Sequence, residues 1–327
     1  MKITVLGAGK SGVAAAKLAK QLGETVFVSD SSDASKIKPF LDELDSHQIE
    51  YESGTHSERI YDCDLMILSP GIKKELYVVQ QFYRKEIPVI SEIEYAYRSC
   101  TQPIIAITGS NGKTTTTTLL GRMLEREYGG HRTAGNIGKP LTEEIDVGDK
   151  DPIAVELSSF QLETIDTFKP KTAMILNISE NHLDWYRTMN DYINAKLNII
   201  KNSDENTELI INADDERLNQ QFSKFPGKLY TFSLRKLYAN AHINREKIYL
   251  AVHGREVEII ELKDLVMKGP HHLMNMMAAA LAAYLNGVTR DQIRTVLRHF
   301  DGIEHRMEIV QSSNGRIYIN DSKATSV

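Results

Sequence analysis

The stretch "IIAITGSNGKTTTTTLLG", residues 104–121, places a glycine-rich turn between an apolar run and a series of threonines. The apolar run predicts a buried strand, and the residues from Lys113 onward predict a helix. The main-chain N–H groups of such a turn, the helix dipole and the lysine together favour a phosphate chain as ligand. The stretch therefore predicts an α/β domain with a nucleoside triphosphate site.

This turn is a compressed variant of the common phosphate loop, whose usual spacing has a glycine where Ile107 stands. We predict that Lys113 contacts the β and γ phosphates of ATP and that the Thr114 hydroxyl binds magnesium. The alternative is a glycine turn that is capped by threonines and binds nothing, but the lysine and the preceding strand favour the phosphate site. The predicted ATP-binding residues of the loop are Gly109, Ser110, Asn111, Gly112, Lys113, Thr114 and Thr115.

Composition limits the class of protein. The 327 residues predict two or three domains, and 39 basic against 44 acidic side chains show no long block of one sign. This balance argues against nucleic-acid and membrane-surface partners. Cys63 and Cys100 have no metal-ligand spacing and indicate a reducing compartment. Because the chain opens directly into a strand and has no apolar run of spanning length, we expect a cytoplasmic protein.

The first roughly 90 residues alternate strand and helix patterns and predict a small doubly wound sheet. Its opening, "ITVLGAGKSG" at 3–12, contains Gly7, Gly9 and Gly12 in a GxGxxG pattern, with Asp30 at the end of the next strand. That combination is typical of dinucleotide oxidoreductases. A tight strand-to-helix turn without a ligand explains the glycines equally well, so the first turn by itself leaves both interpretations open.

Two further strand ends carry candidate site residues. Glu156 ends the strand "PIAVEL", and His182 follows the strand "TAMILNIS" in "NISENHLDWY". An acid at a strand end is more often a helix cap or a solvated residue. However, a phosphate loop needs a carboxylate for its metal, and His182 could face the same cleft as a second ligand or a substrate contact.

The sequence resembles the Mur ligases, because "GSNGKTT", "GNIGKP", "ELSSFQLE", "NHLDWY", "AKLNII", "NADD", "HRMEIV" and "NDSKATSV" occur in that family's order. The resemblance runs from Gly7 to Val327, and "ELSSFQLE" and "NDSKAT" are most similar to the member that adds D-glutamate. It implies an ATP-dependent ligase of peptidoglycan synthesis that joins D-glutamate to UDP-N-acetylmuramoyl-L-alanine through an acyl phosphate. Another amino-acid specificity within the family and a non-catalytic nucleotide-binding relative are the alternatives.

The resemblance also implies roles for individual residues. Lys113, Glu156, His182 and Lys196 would form the catalytic set, with Thr114, Glu156, His182 and a carbamate on Lys196 holding two magnesium ions. Without the resemblance, Lys196 is better explained as a solvated helix lysine. The other implied contacts are Asn275, Arg306 and Asp321 for ATP; Lys10, Ser11, Ser31, Ser32, Ser69, Asn136, Ser158 and His182 for the UDP-sugar; and Lys323 and Thr325 on the amino-acid side.

The implied architecture has three parts. Residues 1–92 would form a Rossmann-like UDP-sugar domain and residues 93–302 a central ATPase-type domain with a P-loop. Residues 303–327 would be a linker and the first strand of a third domain. We therefore expect a monomer that binds both nucleotides, an unpaired edge strand after about Ile303, and no amide synthesis by this chain alone.

Overall fold

The computed structural model describes residues 1–181, 185–222, 225–303, 308–313, 316–320 and 322. Strands and helices alternate in it and form two successive, mainly parallel sheets, which confirms the α/β class. A 3₁₀ helix at Glu58–Tyr61 belongs to the first part. The other elements of that part are β1 (Lys2–Leu6), α1 (Lys10–Gln21), β2 (Thr25–Asp30), α2 (Ala34–Ser46), β3 (Glu50–Ser53), β4 (Leu65–Leu68), α3 (Tyr77–Arg84), β5 (Val89–Ser91) and α4 (Glu92–Ser99).

The first sheet has the order β3-β2-β1-β4-β5, and all its strands are parallel. Strands β2 and β4 lie on opposite sides of β1, and the chain crosses from one side to the other between β3 and β4. The carboxyl end of β1 is therefore the point where an open α/β sheet forms its ligand crevice. Steric crowding explains why the first turn contains glycines. A Cβ on Gly12 would lie 1.9 Å from the carbonyl oxygen of Gly7, so only glycine lets α1 start this close to β1.

The second part contains 3₁₀ helices at Asn198–Ile200 and Leu262–Asp264. Its strands are β6 (Ile104–Thr108), β7 (Thr133–Gly135), β8 (Ile153–Glu156), β9 (Thr172–Ile175), β10 (Glu208–Asn212), β11 (Lys228–Ser233), β12 (Ala241–Asn244), β13 (Lys247–Val252) and β14 (Arg255–Glu261). Its helices are α5 (Lys113–Tyr128), α6 (Leu141–Glu144), α7 (Ser159–Leu162), α8 (Met189–Leu197), α9 (Glu216–Asn219), α10 (Pro270–Leu285) and α11 (Arg290–His299).

The central sheet has the order β14-β13-β12-β11-β10-β9-β6-β8-β7. Neighbours are parallel from β7 to β12, and β12, β13 and β14 pair as antiparallel hairpins. The first of these hairpins joins β12 to β13. Its turn residues Arg245 and Glu246 have φ values of 46° and 59°, which suit the right-handed twist of the strands they join.

Strand β6 lies inside the central sheet and is buried on both faces. Ile105 and Ile107 pack with α5 and α10 on one side, and Ile104 and Ala106 pack with the α7 side on the other. Alternate residues of a strand point to opposite faces, so a continuous apolar run is what a doubly covered strand requires. Packing on both faces therefore holds the end of β6, where the glycine-rich turn begins, in a defined position.

Helix α4 joins the two sheets and carries two buried glutamates. Glu94 accepts main-chain hydrogen bonds from Asp166, Thr167 and Phe168 at 2.8–2.9 Å, together with one from the side chain of Arg98. Glu92 accepts two hydrogen bonds from Thr142, at the start of α6. The connection between the sheets is therefore held by carboxylates that satisfy otherwise buried N–H groups.

The prediction of a single unpaired strand after about Ile303 is wrong. Strands β15 (Glu308–Ser313) and β16 (Arg316–Asn320) form an antiparallel pair, with Glu308 opposite Asn320 and Ser313 opposite Arg316. The two strands satisfy part of each other's hydrogen-bonding edge, which a single strand could not do.

Candidate active site

The glycine-rich turn leaves β6 and ends at the first residue of α5, as the sequence predicts. Gly112 precedes the helix with φ of +83°, a left-handed conformation that favours glycine. A Cβ at this position would lie 2.4 Å from Oδ1 of Asn275, a predicted ATP contact on α10. The turn and the start of α10 are therefore in close contact, which brings Asn275 to the predicted phosphate loop.

Two lysines converge on the turn. Lys113 Nζ donates to the carbonyl oxygens of Gly109 and Ser110 at 2.9 and 3.0 Å. Lys196 Nζ, from α8, donates to the same Gly109 oxygen at 2.9 Å. The side chain that could have been a solvated helix lysine is 2% exposed and lies at the phosphate loop.

The environment of Lys196 disfavours its charged form. Burial lowers the pKa of its amine well below 10.5, and the positive charge of Lys113 lowers it further. The carboxylate of Glu156 acts in the opposite direction but does not outweigh them. The Nζ atom also lies 4.6 Å from the ring centroid of Tyr192. A neutral amine is the form that adds carbon dioxide, so the surroundings suit the carbamate that the resemblance implies.

Glu156 lies at the end of β8 and is 2% exposed. Its Oε1 accepts a hydrogen bond from Asn136 Nδ2 at 2.7 Å, whereas Oε2 has no hydrogen-bond partner among the described residues. A buried carboxylate oxygen with this spare capacity suits a hard cation, since magnesium prefers oxygen ligands. No three His, Cys, Asp or Glu side chains form a metal-sized group in the described ranges, which leave out His182.

Tyr192 and Ser110 were not predicted from the sequence as a pair. Ser110 Oγ donates to the carbonyl oxygen of Ser179 at 2.9 Å and accepts from the Ser179 N–H at 2.9 Å. Tyr192 Oη lies 3.1 Å from the same Oγ. Because the single serine proton is already donated, Tyr192 is the donor in this contact. The hydroxyl thus ties α8, which carries Lys196, to the phosphate loop.

These side chains surround one cavity of about 230 Å³. It joins most of the predicted phosphate loop with Glu156, Lys196 and two residues predicted to face the UDP-sugar, Asn136 and Ser158. Thr115 lies in the first turn of α5 beside it. The lining residues are Ser110, Asn111, Gly112, Lys113, Thr114, Asn136, Glu156, Ser158, Ser159, Phe160, Asn181, Tyr192 and Lys196.

The remaining predicted UDP contacts form a separate group at the carboxyl ends of the first sheet. Lys10 and Ser11 begin α1, Ser31 and Ser32 follow β2, and Ser69 follows β4. None of these five is among the residues that line the phosphate cavity. Lys10 Nζ contacts the second part by donating to the carbonyl oxygen of Gly138 at 2.5 Å, two residues after Asn136, which lines the cavity.

Asp30 organises the first turn. Its two carboxylate oxygens accept the main-chain N–H groups of Ala8 and Ser32, each at 2.7 Å. Burial opposes ionisation of this carboxyl, but the hydrogen bonds prevail and lower its pKa. Asp30 therefore stabilises the conformation of the first turn. Ser69 supports the same turn by donating to the carbonyl oxygen of Gly7 at 3.1 Å.

Several predicted site residues lie outside the residues that the structure describes. They are His182, Arg306, Asp321, Lys323 and Thr325. No helix in the described ranges combines the length and the apolar character needed to cross a membrane.

Comparisons with known proteins show which family the chain is similar to. A family model described as the Mur ligase middle domain matches residues 107–283, and one described as the MurD N-terminal domain matches residues 2–78. The UDP-N-acetylmuramoylalanine--D-glutamate ligase of Thermoanaerobacter pseudethanolicus is 38% identical over 328 residues, covering 99% of this chain and 72% of that protein. The ligase of the same name from Bacteroides thetaiotaomicron is 40% identical over 335 residues, covering 100% and 74%.

Solved structures share the fold at lower identity. A murein peptide ligase from Psychrobacter arcticus aligns with a TM-score of 0.63 at 20% identity, over 98% of this chain and 72% of that one. A UDP-N-acetylmuramate-alanine ligase from Thermotoga maritima aligns with a TM-score of 0.54 at 21% identity, over 96% and 72%.

Proposed function

The chain belongs to the Mur ligase family, and we propose that it joins D-glutamate to UDP-N-acetylmuramoyl-L-alanine in an ATP-dependent reaction of peptidoglycan synthesis. Its relatives that bear this activity in their names are 36–40% identical over nearly the whole chain. The observation that carries the proposal is the single cavity in which Lys113, Glu156 and Lys196 meet beside the glycine-rich turn. Lysine, carboxylate and turn amides are the groups that phosphoryl transfer from ATP requires.

The chemistry follows from the weak electrophilicity of a carboxylate. The alanyl carboxylate of the UDP-sugar attacks the γ-phosphate of ATP and displaces ADP, which gives an acyl phosphate. The deprotonated amine of D-glutamate then attacks the acyl carbon, displaces phosphate and loses a further proton to give the amide. Lys113 would turn from its contacts with Gly109 and Ser110 to the transferring phosphate and stabilise its charge. Asn136 would hold Glu156 in place through their hydrogen bond.

Thr114, Glu156, His182 and a carbamate on Lys196 would hold two magnesium ions. Bound magnesium would supply positive charge next to the phosphate oxygens. Glu156 Oε2, which has no hydrogen-bond partner in the part of the chain that the structure describes, and the lowered pKa of Lys196 support this ligand set. The carbamate forms when the neutral Lys196 amine adds to carbon dioxide and loses a proton, which replaces a cation by an anion able to bind metal.

Residues at both crevices would bind the two large substrates. The first part, residues 1–92, would hold the UDP moiety through Lys10, Ser11, Ser31, Ser32 and Ser69, and the second part, residues 93–302, would hold ATP. Asn275 would contact ATP, with Arg306 and Asp321, whereas Lys323 and Thr325 would lie toward D-glutamate. The assignment of residues 303–327 to a further domain and the activity as a cytoplasmic monomer rest on the family resemblance.

A phosphate-release assay on the full-length protein, with ATP, magnesium, UDP-N-acetylmuramoyl-L-alanine and a panel of amino acids, tests the function. We expect release that depends on D-glutamate and on the UDP-sugar. Dependence on a different amino acid would assign another specificity. Calorimetric titration with ADP and NAD separates the other classes. Binding of ADP without turnover under any condition would favour a non-catalytic relative, and tight binding of NAD alone would favour an oxidoreductase.

A further inference from the structure

Four side chains outside α4 also join the two parts of the molecule. Lys73 and Lys74 lie in the connection 69–76, between β4 and α3 of the first part. Lys73 Nζ lies 4.6 Å above the ring centroid of Trp185, and Lys74 Nζ lies 3.5 Å from Oε2 of Glu163. Trp185 Nε1 donates to Oε1 of the same glutamate at 3.3 Å. We call these four residues the interdomain clasp.

Each side of the clasp leads to a predicted substrate site. The connection 69–76 starts at Ser69, which supports the first turn through the carbonyl oxygen of Gly7. On the other side, the Trp185 ring lies 4.5 Å from the ring of Phe160, and Phe160 lines the phosphate cavity. A chain of direct contacts therefore runs from the first turn to the phosphate cavity, with Trp185 at the junction between the two parts.

The interdomain clasp lies beside a main-chain hydrogen bond that also joins the two parts. The N–H of Ser91 donates to the carbonyl oxygen of Thr164 at 3.0 Å, next to Glu163. Together with the Lys10–Gly138 hydrogen bond, these contacts restrict rotation of one sheet against the other. The Lys74–Glu163 pair is part exposed, with Lys74 43% exposed, and contributes little by itself. The large aromatic ring between Lys73 and Phe160 is the stronger element.

We propose that Trp185 is a positioning residue that sets the distance between the UDP-binding turn and the phosphate cavity. This inference rests on the proposed function, because it concerns a substrate that spans both sites. A ligand held by one part alone does not depend on the angle between the parts. UDP-N-acetylmuramoyl-L-alanine must place its UDP at the first turn and its alanyl carboxylate at the cavity, so its affinity depends on that angle.

Calorimetric titration with three probes tests the proposal: UDP for the first turn, ADP for the phosphate cavity, and UDP-N-acetylmuramoyl-L-alanine for both. We expect Trp185→Ala to weaken the spanning ligand about tenfold and Lys73→Ala about threefold, with UDP and ADP unchanged. Trp185→Phe, which keeps a ring, should restore most of the affinity. Lys85→Ala is the matched control, since Lys85 lies 5.2 Å from the Tyr61 ring inside the first part and should change none of the three.

A double-mutant cycle adds a readout that a loss of stability would not produce. Lys73→Ala and Trp185→Ala should be non-additive for the spanning ligand, whereas Lys85→Ala and Trp185→Ala should be additive. Unchanged affinity for the spanning ligand, or an equal loss for all three probes, would overturn the inference. If Trp185→Ala does not fold, Lys73→Ala and Trp185→Phe decide the question in the same way. Failure of the unsubstituted protein to bind any probe would instead contradict the proposed function.

Discussion

Lys113 and Lys196 donate hydrogen bonds to one shared acceptor, the main-chain carbonyl oxygen of Gly109, each at 2.9 Å. Two ammonium groups on one acceptor repel each other, and burial penalises the charge of Lys196 in addition. Lys196, which is 2% exposed, responds with a strongly lowered pKa. Lys113 is therefore the lysine suited to binding phosphate, and Lys196 is the one suited to carbamylation.

We expect Lys196 to carry a carbamate. In ¹³C NMR with labelled bicarbonate, the protein should show a carbamate signal that Lys196→Ala abolishes, because the buried amine is the one kept neutral. Lys196→Ala should also lose ligase activity that short-chain carboxylates partly restore, since they can replace the missing anion. Lys201→Ala, which removes an exposed lysine nearby, should leave signal and activity intact. A magnesium- and nucleotide-loaded protein without the signal would refute the assignment.

We expect Lys113→Ala to lower turnover by about a hundredfold or more, because it removes the preorganised cation that faces the transferring phosphate. Phosphate release under saturating substrates measures the effect. Lys139→Ala is the control, since Lys139 is an exposed lysine paired with Glu143 and Glu144 and should keep normal turnover. Near-normal release by Lys113→Ala would show that another group performs this task.

Gly112 and Gly129 flank α5, and both have positive φ values, of +83° and +72°. Gly112→Ala places its Cβ against Asn275, whereas a Cβ on Gly129 meets nothing within 4 Å. Both substitutions should destabilise the fold by about 1–3 kcal/mol through backbone strain, and Gly129→Ala by no less than Gly112→Ala, because the Gly129 ψ of −178° is almost exclusive to glycine. Only Gly112→Ala should also strongly weaken binding of ADP, measured by calorimetry. Equal affinities in the two variants would mean that the contact with Asn275 has no role in the nucleotide site.

Glu92 should make stability depend on pH. Burial raises its pKa to about 7, against hydrogen bonds from Thr142 that favour ionisation. The folded state therefore keeps a proton that the unfolded state loses above 4.5, so the free energy of unfolding falls as pH rises from 4.5 to about 7. The fall amounts to roughly 3 kcal/mol at most. Urea unfolding across this range measures it, and Glu92→Gln should remove this slope.

Glu94 provides the opposite control two residues further along α4. Burial opposes its ionisation, but hydrogen bonds from Thr167, Asp166 and Arg98 prevail and lower its pKa. Its contribution to stability is therefore present above pH 4.5 and lost as pH falls through the lowered value. Glu94→Gln should destabilise the protein at neutral pH, and this deficit should shrink in acid. The same slope in both variants would contradict these ionisation states.

The local part of the site could be predicted from the sequence because its signals are local. The strand, the glycine turn and Lys113 are contiguous, and covalent order alone brings them together. The burial of Lys196 also had a signal, since Tyr192 and Lys196 share one face of α8 and Ile199, in the 3₁₀ helix that follows, continues the helical spacing. No sequence pattern predicts the contact between Tyr192 and Ser110, because it joins residues 82 positions apart through the packing of α8.

The error near the end of the described chain has an equally definite cause. Strands β15 and β16 are separated by Asn314-Gly315 in the sequence, a dipeptide typical of two-residue hairpin turns. The family motifs on either side favour one strand, whereas the local turn signal indicates two. The predicted domain bounds already place Asn136 and Ser158 in the central domain and the other UDP contacts in the first, but no sequence pattern specifies the angle between the two sheets.

The central sheet also determines when the site can exist during folding. Its contacts close long loops: Thr108 bonds the main chain of Leu157 across 49 residues, Ser110 bonds Ser179 across 69, and Lys196 reaches Gly109 across 87. Closure of such loops is entropically costly and comes late in proteins dominated by distant pairings. Nucleotide affinity should therefore appear among the last properties regained on refolding. A bound nucleotide would then act as a probe of the fully assembled sheet, distinct from the earlier return of helical signal.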